Sequence, residues 1–172
     1  MAYCLKGTTL LPAMLTALVL LMPEPTAAGN PQHDSAAGGG QIDALGSANT
    51  LCFPAAESFA ISAHVKNNTL TTGIGGTANA SCVGGGGHIV SKVDCLAVSG
   101  SVAVLTSVVT HSTGVFAIFP PGTELSVAVS DSGVPGGTGD VIGANVTNAP
   151  CNFNAPLDTP IASGNINVHD AP

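Results

Sequence analysis

Over most of this chain apolar side chains fall at every second position, and that alternation leaves few options for the fold. Phe59, Ile61, Ala63 and Val65 share one face of a stretch whose other face carries Ser58, Ser62 and His64. Successive side chains of an extended chain point to opposite sides, so such a row lays an apolar face on a pleated strand. Similar rows recur: Leu70, Thr72 and Ile74; Ile89 to Val98; Val102, Val104, Thr106 and Val108; Leu125, Val127 and Val129. Segment 141–146 and the row of Ile166 and Val168 complete the set. Gly, Pro, Asn and Asp interrupt the rows at roughly 8–15-residue intervals, as turns require. Beyond the N-terminal apolar run, no window keeps a helical i, i+3, i+4, i+7 stripe, and Gly or Pro would break most candidates.

The expected class is therefore all-β, with about seven to eight strands in one antiparallel barrel or a two-sheet sandwich. Hairpin-length links in the middle of the chain, such as Ser99-Gly100, favour the barrel. Between His88 and Val98 the phase switches, from Ile89, Ser91, Val93 and Cys95 to Leu96 and Val98. A one-residue switch predicts a β-bulge or a segment buried on both sides. The glycines 84–87 and the stretch 131–140 read as flexible loops.

The N-terminus reads as a signal peptide. Lys6 precedes an apolar run at 10–22, then the turn-prone Pro23-Glu24-Pro25 and the small residues Thr26-Ala27-Ala28. The run is shorter than the about 20 residues of a comfortable membrane span. Cys4 lies before it, where a lipoprotein cysteine would follow it. Expected boundaries are a signal peptide at 1–28, a flexible leader at 29–40 (GNPQHDSAAGGG) and a single β-domain at 41–172. The destination is outside the cell or in its envelope, with no membrane attachment after cleavage. Four cysteines remain, Cys52, Cys82, Cys95 and Cys151, an even number suited to two disulfides in an oxidising compartment. Of three possible connectivities, Cys52–Cys82 with Cys95–Cys151 is the expected one. Their spacings are too long for the short Cys pairs of zinc sites.

Charge narrows the partners. The formal net charge is −7, Arg is absent, and Lys66 and Lys92 are the cations after Lys6. Nucleic acid and anionic membranes call for a basic face that this chain lacks. Carboxylate or phosphate ligands would miss their usual Arg forks. A sugar site would miss its platforms, because Trp is absent and the single Tyr is Tyr3.

The segment 93–103 (VDCLAVSGSVA) resembles a V-x-C-L-x-V-x-G-x-x-A signature found in a group of small uncharacterised secreted proteins of actinomycete-type bacteria. Phe59 to Ala63, Pro121-Gly122 with 127–133, and 164–171 are similar to their early strand, later strand with acidic turn, and terminal strand. The resemblance implies a small exported bacterial β-domain and supplies no activity. The Cys52 and Cys82 pair, the missing Arg and the 84–87 glycines depart from that pattern.

Candidate chemistry is sparse. Asp131-Ser132-Gly133 has the form of an aspartic-protease tripeptide but occurs once, where that chemistry needs two carboxylates sharing a proton. A turn with Asp131 accepting local backbone N–H groups is the simpler reading. Asp131 and Asp140 flank a glycine-rich loop and are the candidate calcium ligands. His33, His64, His88, His111 and His169 show no metal spacing, and a triad of His111, Asp131 and a serine lacks a marked nucleophile. Asn67, Asn79 and Asn145 begin sequons that matter only on a eukaryotic secretory route. The leading expectation is a non-enzymatic exported binding or structural domain. A barrel carrying a small apolar ligand is the alternative, with a cavity of at least about 300 Å³. A hydrolase or isomerase using Asp94 or Asp131 is the other.

Overall fold

In a computed structural model, residues 33–43, 51–65, 73–134, 136 and 139–171 are described. The signal-peptide segment, the turn around Asn67-Asn68 and the Leu70 and Thr72 positions lie outside them. The described chain forms nine strands: β1 (Ser35–Ile42), β2 (Glu57–Val65), β3 (Ile74–Cys82), β4 (His88–Ser99), β5 (Val102–Ser112), β6 (Glu124–Ser130), β7 (Val141–Thr147), β8 (Thr159–Pro160) and β9 (Ser163–His169). A short 3-10 helix, Gly114–Ile118, separates β5 from β6. All strands belong to one antiparallel sheet of order β8-β7-β6-β5-β4-β3-β2-β1-β9.

That order forces the sheet to curl. Its two edges, β8 and β9, are separated in sequence by Ile161 and Ala162 alone, a reach of no more than about 11 Å. The Ile161 N–H donates to the Asp140 carbonyl and the Ala162 N–H to the Gln41 carbonyl, pinning the corner to both flanks. The result is a nine-stranded half-barrel, neither a sandwich nor the closed barrel of seven or eight strands expected from the alternation. Closure by a continuous ladder fails because β8 has two residues, one of them Pro160, which has no N–H to donate.

The first strand is a second correction. Residues 35–40, expected in the leader, lie in β1, hydrogen-bonded to β2 on one side and β9 on the other. The glycines that read as a spacer permit this crowding. A Cβ on Gly38 would strike the Asn165 carbonyl, and one on Gly40 the Ser163 carbonyl. Glycine in a strand marks close backbone approach as well as slack. Likewise the 84–87 loop is tied down: Gly87 accepts from Cys82 N–H, and Gly86 from Val115 N–H.

The inner face carries Phe59, Ile61, Ala63 and Val65 from β2, Val93 and Leu96 from β4, Val127 and Val129 from β6, and Ile166 from β9, all buried. The phase switch is a bulge. Val93 pairs with Ser107 and Cys95 with Thr106, so Asp94 is the extra residue. On β5 the inward row is Ala103, Leu105 and Val109, leaving Val102, Val104 and Val108 on the other face. Buried Thr106 and Ser126 face outward under segment 148–158: Thr106 Oγ1 accepts from Cys151 N–H (3.0 Å), and Ser126 Oγ from Asn154 and Ala155 N–H (3.2 Å each). Both disulfides form as paired in the sequence reading, Cys52–Cys82 and Cys95–Cys151, with Cα separations of 5.2 and 5.3 Å.

Candidate functional site

Antiparallel connectivity sorts the loops to two ends of the sheet. The links 43–56, 83–87 and 113–123 and the segment 148–158 leave from one end, and the turn at Gly100, the loop 131–140 and the C-terminus from the other. The two ends hold different chemistry.

At the first end the inner face opens into a cavity of about 270 Å³. Phe59 and Ile61 of β2, Ile89 of β4, Leu125 and Val127 of β6 and Ile142 of β7 form its walls, and Phe116 and Phe119 of the helical turn lie against it. Room exists because facing positions carry small residues, Ala78 and Ala80 on β3 and Ala144 on β7. The Cys52–Cys82 bridge holds segment 51–56 over this end, placing Leu51 in the lining. Gly114 has φ +58° and abuts Gly86 and Gly87 so closely that no side chain fits, which seats Phe116 inward. Glu57, Asn145, Asp158 and Thr159 give the lining a polar fringe, with no Lys among its residues.

At the second end four carboxylates accept backbone N–H groups. Asp140 is fully buried; its Oδ2 takes the Ile166 N–H (2.9 Å), and its Oδ1 takes the N–H and hydroxyl of Ser132 (2.9 and 2.8 Å). Asp131 Oδ2 takes the Val168 N–H (3.1 Å) and its Oδ1 the Gly133 N–H (2.7 Å), the local turn read from Asp131-Ser132-Gly133. Asp34 accepts from Ala171 and Asp170 from Gly100. The bonds to Ile166 and Val168 replace the missing ladder along the outer edge of β9. Burial would raise the Asp140 pKa, but donors from Ser132 and Ile166 outweigh it and hold the carboxyl below its ordinary value. Every Asp131 and Asp140 oxygen thus meets N–H or O–H donors, an environment built for an anion. Among the described residues no group of three or more His, Cys, Asp or Glu side chains could hold a metal ion.

A third cluster sits on the outer face beside the bulge. Asp94 Oδ1 accepts from Thr106 Oγ1 (2.6 Å). Burial, and then the charge and hydrogen bonding of Asp94, push the Glu124 pKa up. Glu124 Oε2 is buried without a hydrogen-bond partner among the described residues. Sequence reasoning singled out Asp94 and passed over Glu124, which reaches it through the β4-β5 and β5-β6 registers. Asp94 and Asp131 are not brought together: one lies at the bulge, the other holds β9. His88 and His111 do meet, ring centroids 5.1 Å apart, because Val90 pairs with His111. The His88 Nδ1 lies 3.0 Å from Thr113 Oγ1. Asn79 and Asn145 lie in β3 and β7, and Asn67 falls outside the described residues.

Among the described residues no helix is long and apolar enough to cross a membrane. The chain was compared with protein-family models, curated proteins and solved structures, and matches none.

Proposed function

We propose that this chain is an exported, non-enzymatic bacterial binding domain that holds a small apolar ligand inside the half-barrel. The observation carrying the reading is the cavity of about 270 Å³ walled by Phe59, Ile61, Leu125 and Ile142. Interiors normally pack without voids larger than a water molecule, and an apolar void sacrifices contacts on every wall. A ligand restores them. The volume falls slightly below the roughly 300 Å³ lower bound for drug-sized ligands. An apolar cavity of about 150 Å³ takes one benzene, so the ligand here has on the order of ten heavy atoms. The fringe of Glu57 and Asp158, with no Lys in the lining, selects against carboxylate ligands such as fatty acids. Two disulfides support an oxidising destination outside the cytosol, where glutathione would keep thiols reduced.

Titration with a naphthalene-type fluorophore tests this. Saturable binding with a blue-shifted emission is expected. Ala78→Phe projects a ring into the cavity, and should weaken binding at least tenfold while the melting temperature stays level or rises. Equal binding by wild type and Ala78→Phe, or none by either, would end the proposal.

A further inference from the structure

The well-exposed large apolar side chains are distributed unevenly between the two ends. Leu51 and Phe53 on link 43–56 and Val115 and Ile118 on link 113–123 belong to the cavity end, while Phe153 and Leu157 stand on segment 148–158, which leaves that end and runs over the outer face of the sheet. Phe53 is 70 % exposed and Ile118 65 %. Among the described residues, Val134 is their one counterpart in the loops of the opposite end. Scattered exposed apolar residues need no explanation, whereas a set gathered around one opening does. Both pairs on links 43–56 and 113–123 lie within two residues of a cavity-lining side chain: Leu51 itself, and Phe116 and Phe119.

We infer that this crown docks on an uncharged lipid surface, from which the cavity draws its apolar ligand. Three features favour lipid over other occupants. The crown is continuous with an apolar cavity, and a ligand that fits such a cavity partitions into lipid from water. Its side chains stand on two separate links at strand ends and can dip into acyl chains independently, with no need for a complementary partner shape. Charge then selects the lipid. The net charge of −7 repels anionic headgroups, and Lys92, the one cation among the described residues, lies on β4 outside the crown. A zwitterionic or neutral surface carries no such penalty, and attachment through apolar side chains is insensitive to salt.

The docking is read from the crown; only its purpose rests on the cavity proposal, so the two can fail separately. The exported chain, without the signal-peptide segment 1–28, is floated with phosphatidylcholine vesicles at low and high salt, and with vesicles enriched in anionic lipid. Expected are co-flotation with phosphatidylcholine that salt leaves unchanged, weaker recovery on anionic vesicles, and at least a tenfold drop for Phe53→Ser/Ile118→Ser. That double variant should melt normally and bind the soluble fluorophore as wild type does, because neither residue lines the cavity. Ala78→Phe should float normally while losing the fluorophore. No recovery of wild type with phosphatidylcholine, or equal recovery of the double variant, overturns the inference. So does light scattering that shows a dimer dissolved by Phe53→Ser/Ile118→Ser without vesicle binding, since the crown would then be a self-association surface.

Discussion

The end of the sheet where β9 meets the 131–140 loop and the end where the cavity opens solve the same problem in opposite ways. Both must finish a half-barrel that the backbone ladder leaves incomplete. At the β9 end, Asp131 and Asp140 supply acceptors to the N–H groups of Val168 and Ile166. At the cavity end, a disulfide and a buried Phe116 draw loops across the opening. Hydrogen bonds to carboxylates are directional and short, so they close a seam without leaving space. Apolar packing is non-directional and depends on volume, so alanines facing one another leave a void. The rigid end holds the sheet in its curl; the packed end has room for a guest.

The contrast can be broken most severely at the cavity end. Cys52→Ala/Cys82→Ala removes a cross-link spanning 30 residues, which chain entropy values at about 3.6 kcal/mol. Urea denaturation should show that loss, and the fluorophore affinity should fall with it because Leu51 is no longer held in the lining. Undiminished affinity in this variant would detach the disulfide from the cavity. Next in size, Asp140→Ala strands the buried N–H of Ile166 and the part-buried N–H of Ser132, a loss of about 3 kcal/mol. That corresponds to roughly 6–12 °C in melting temperature for a chain of this size. Fluorophore affinity should stay within about twofold, since Asp140 serves the other end; a parallel collapse of binding would show the two ends to be coupled.

Acidity sharpens the same division. The Asp140 carboxyl titrates below its unfolded value, so its contribution is complete above the ordinary aspartate pKa and is lost as pH falls through the lower folded value. Melting temperatures of wild type should drop across that acid window, and those of Asp140→Asn should drop less. Glu124 carries the opposite sign. Its folded pKa is raised, so its favourable protonated state is complete below the ordinary glutamate pKa and is lost as pH rises through the folded value. Glu124→Gln should therefore stabilise the protein at neutral pH by about 0.5 kcal/mol and do little near pH 4. Destabilisation at neutral pH would mean that the Glu124 charge has a stabilising partner.

Much of the fold was legible because local alternation and burial agree. β2 and β6 span the residues their rows indicated, and the phase switch in β4 lies beside a bulge whose extra residue, Asp94, the strand register identifies. The rest failed for identifiable reasons. β1 hid behind Ser35-Ala-Ala-Gly-Gly-Gly, where glycines serving close approach look the same as glycines serving flexibility. On β5 valines occupy both faces, so hydrophobicity could not say that Ala103 and Leu105 point inward. The helical turn at Gly114–Ile118 is too short to display a period. Of the candidate residues, Asp131 and Asp140 were read as candidate calcium ligands, whereas the partners they have in the structure are N–H groups of β9, remote in sequence. The cavity had no local signal, because it is defined by the small side chains on facing strands.

By itself the sequence determined that this chain pleats, where its central strands turn, and that four cysteines are available for two bridges, because those properties follow from neighbours a few residues apart and from parity. Only the tertiary structure decided that nine strands curl without closing, that carboxylates complete one edge, and that one end is hollow and ringed with apolar side chains. Those outcomes depend on which strands become neighbours after the chain has turned back on itself, and no pattern confined to one segment carries that information.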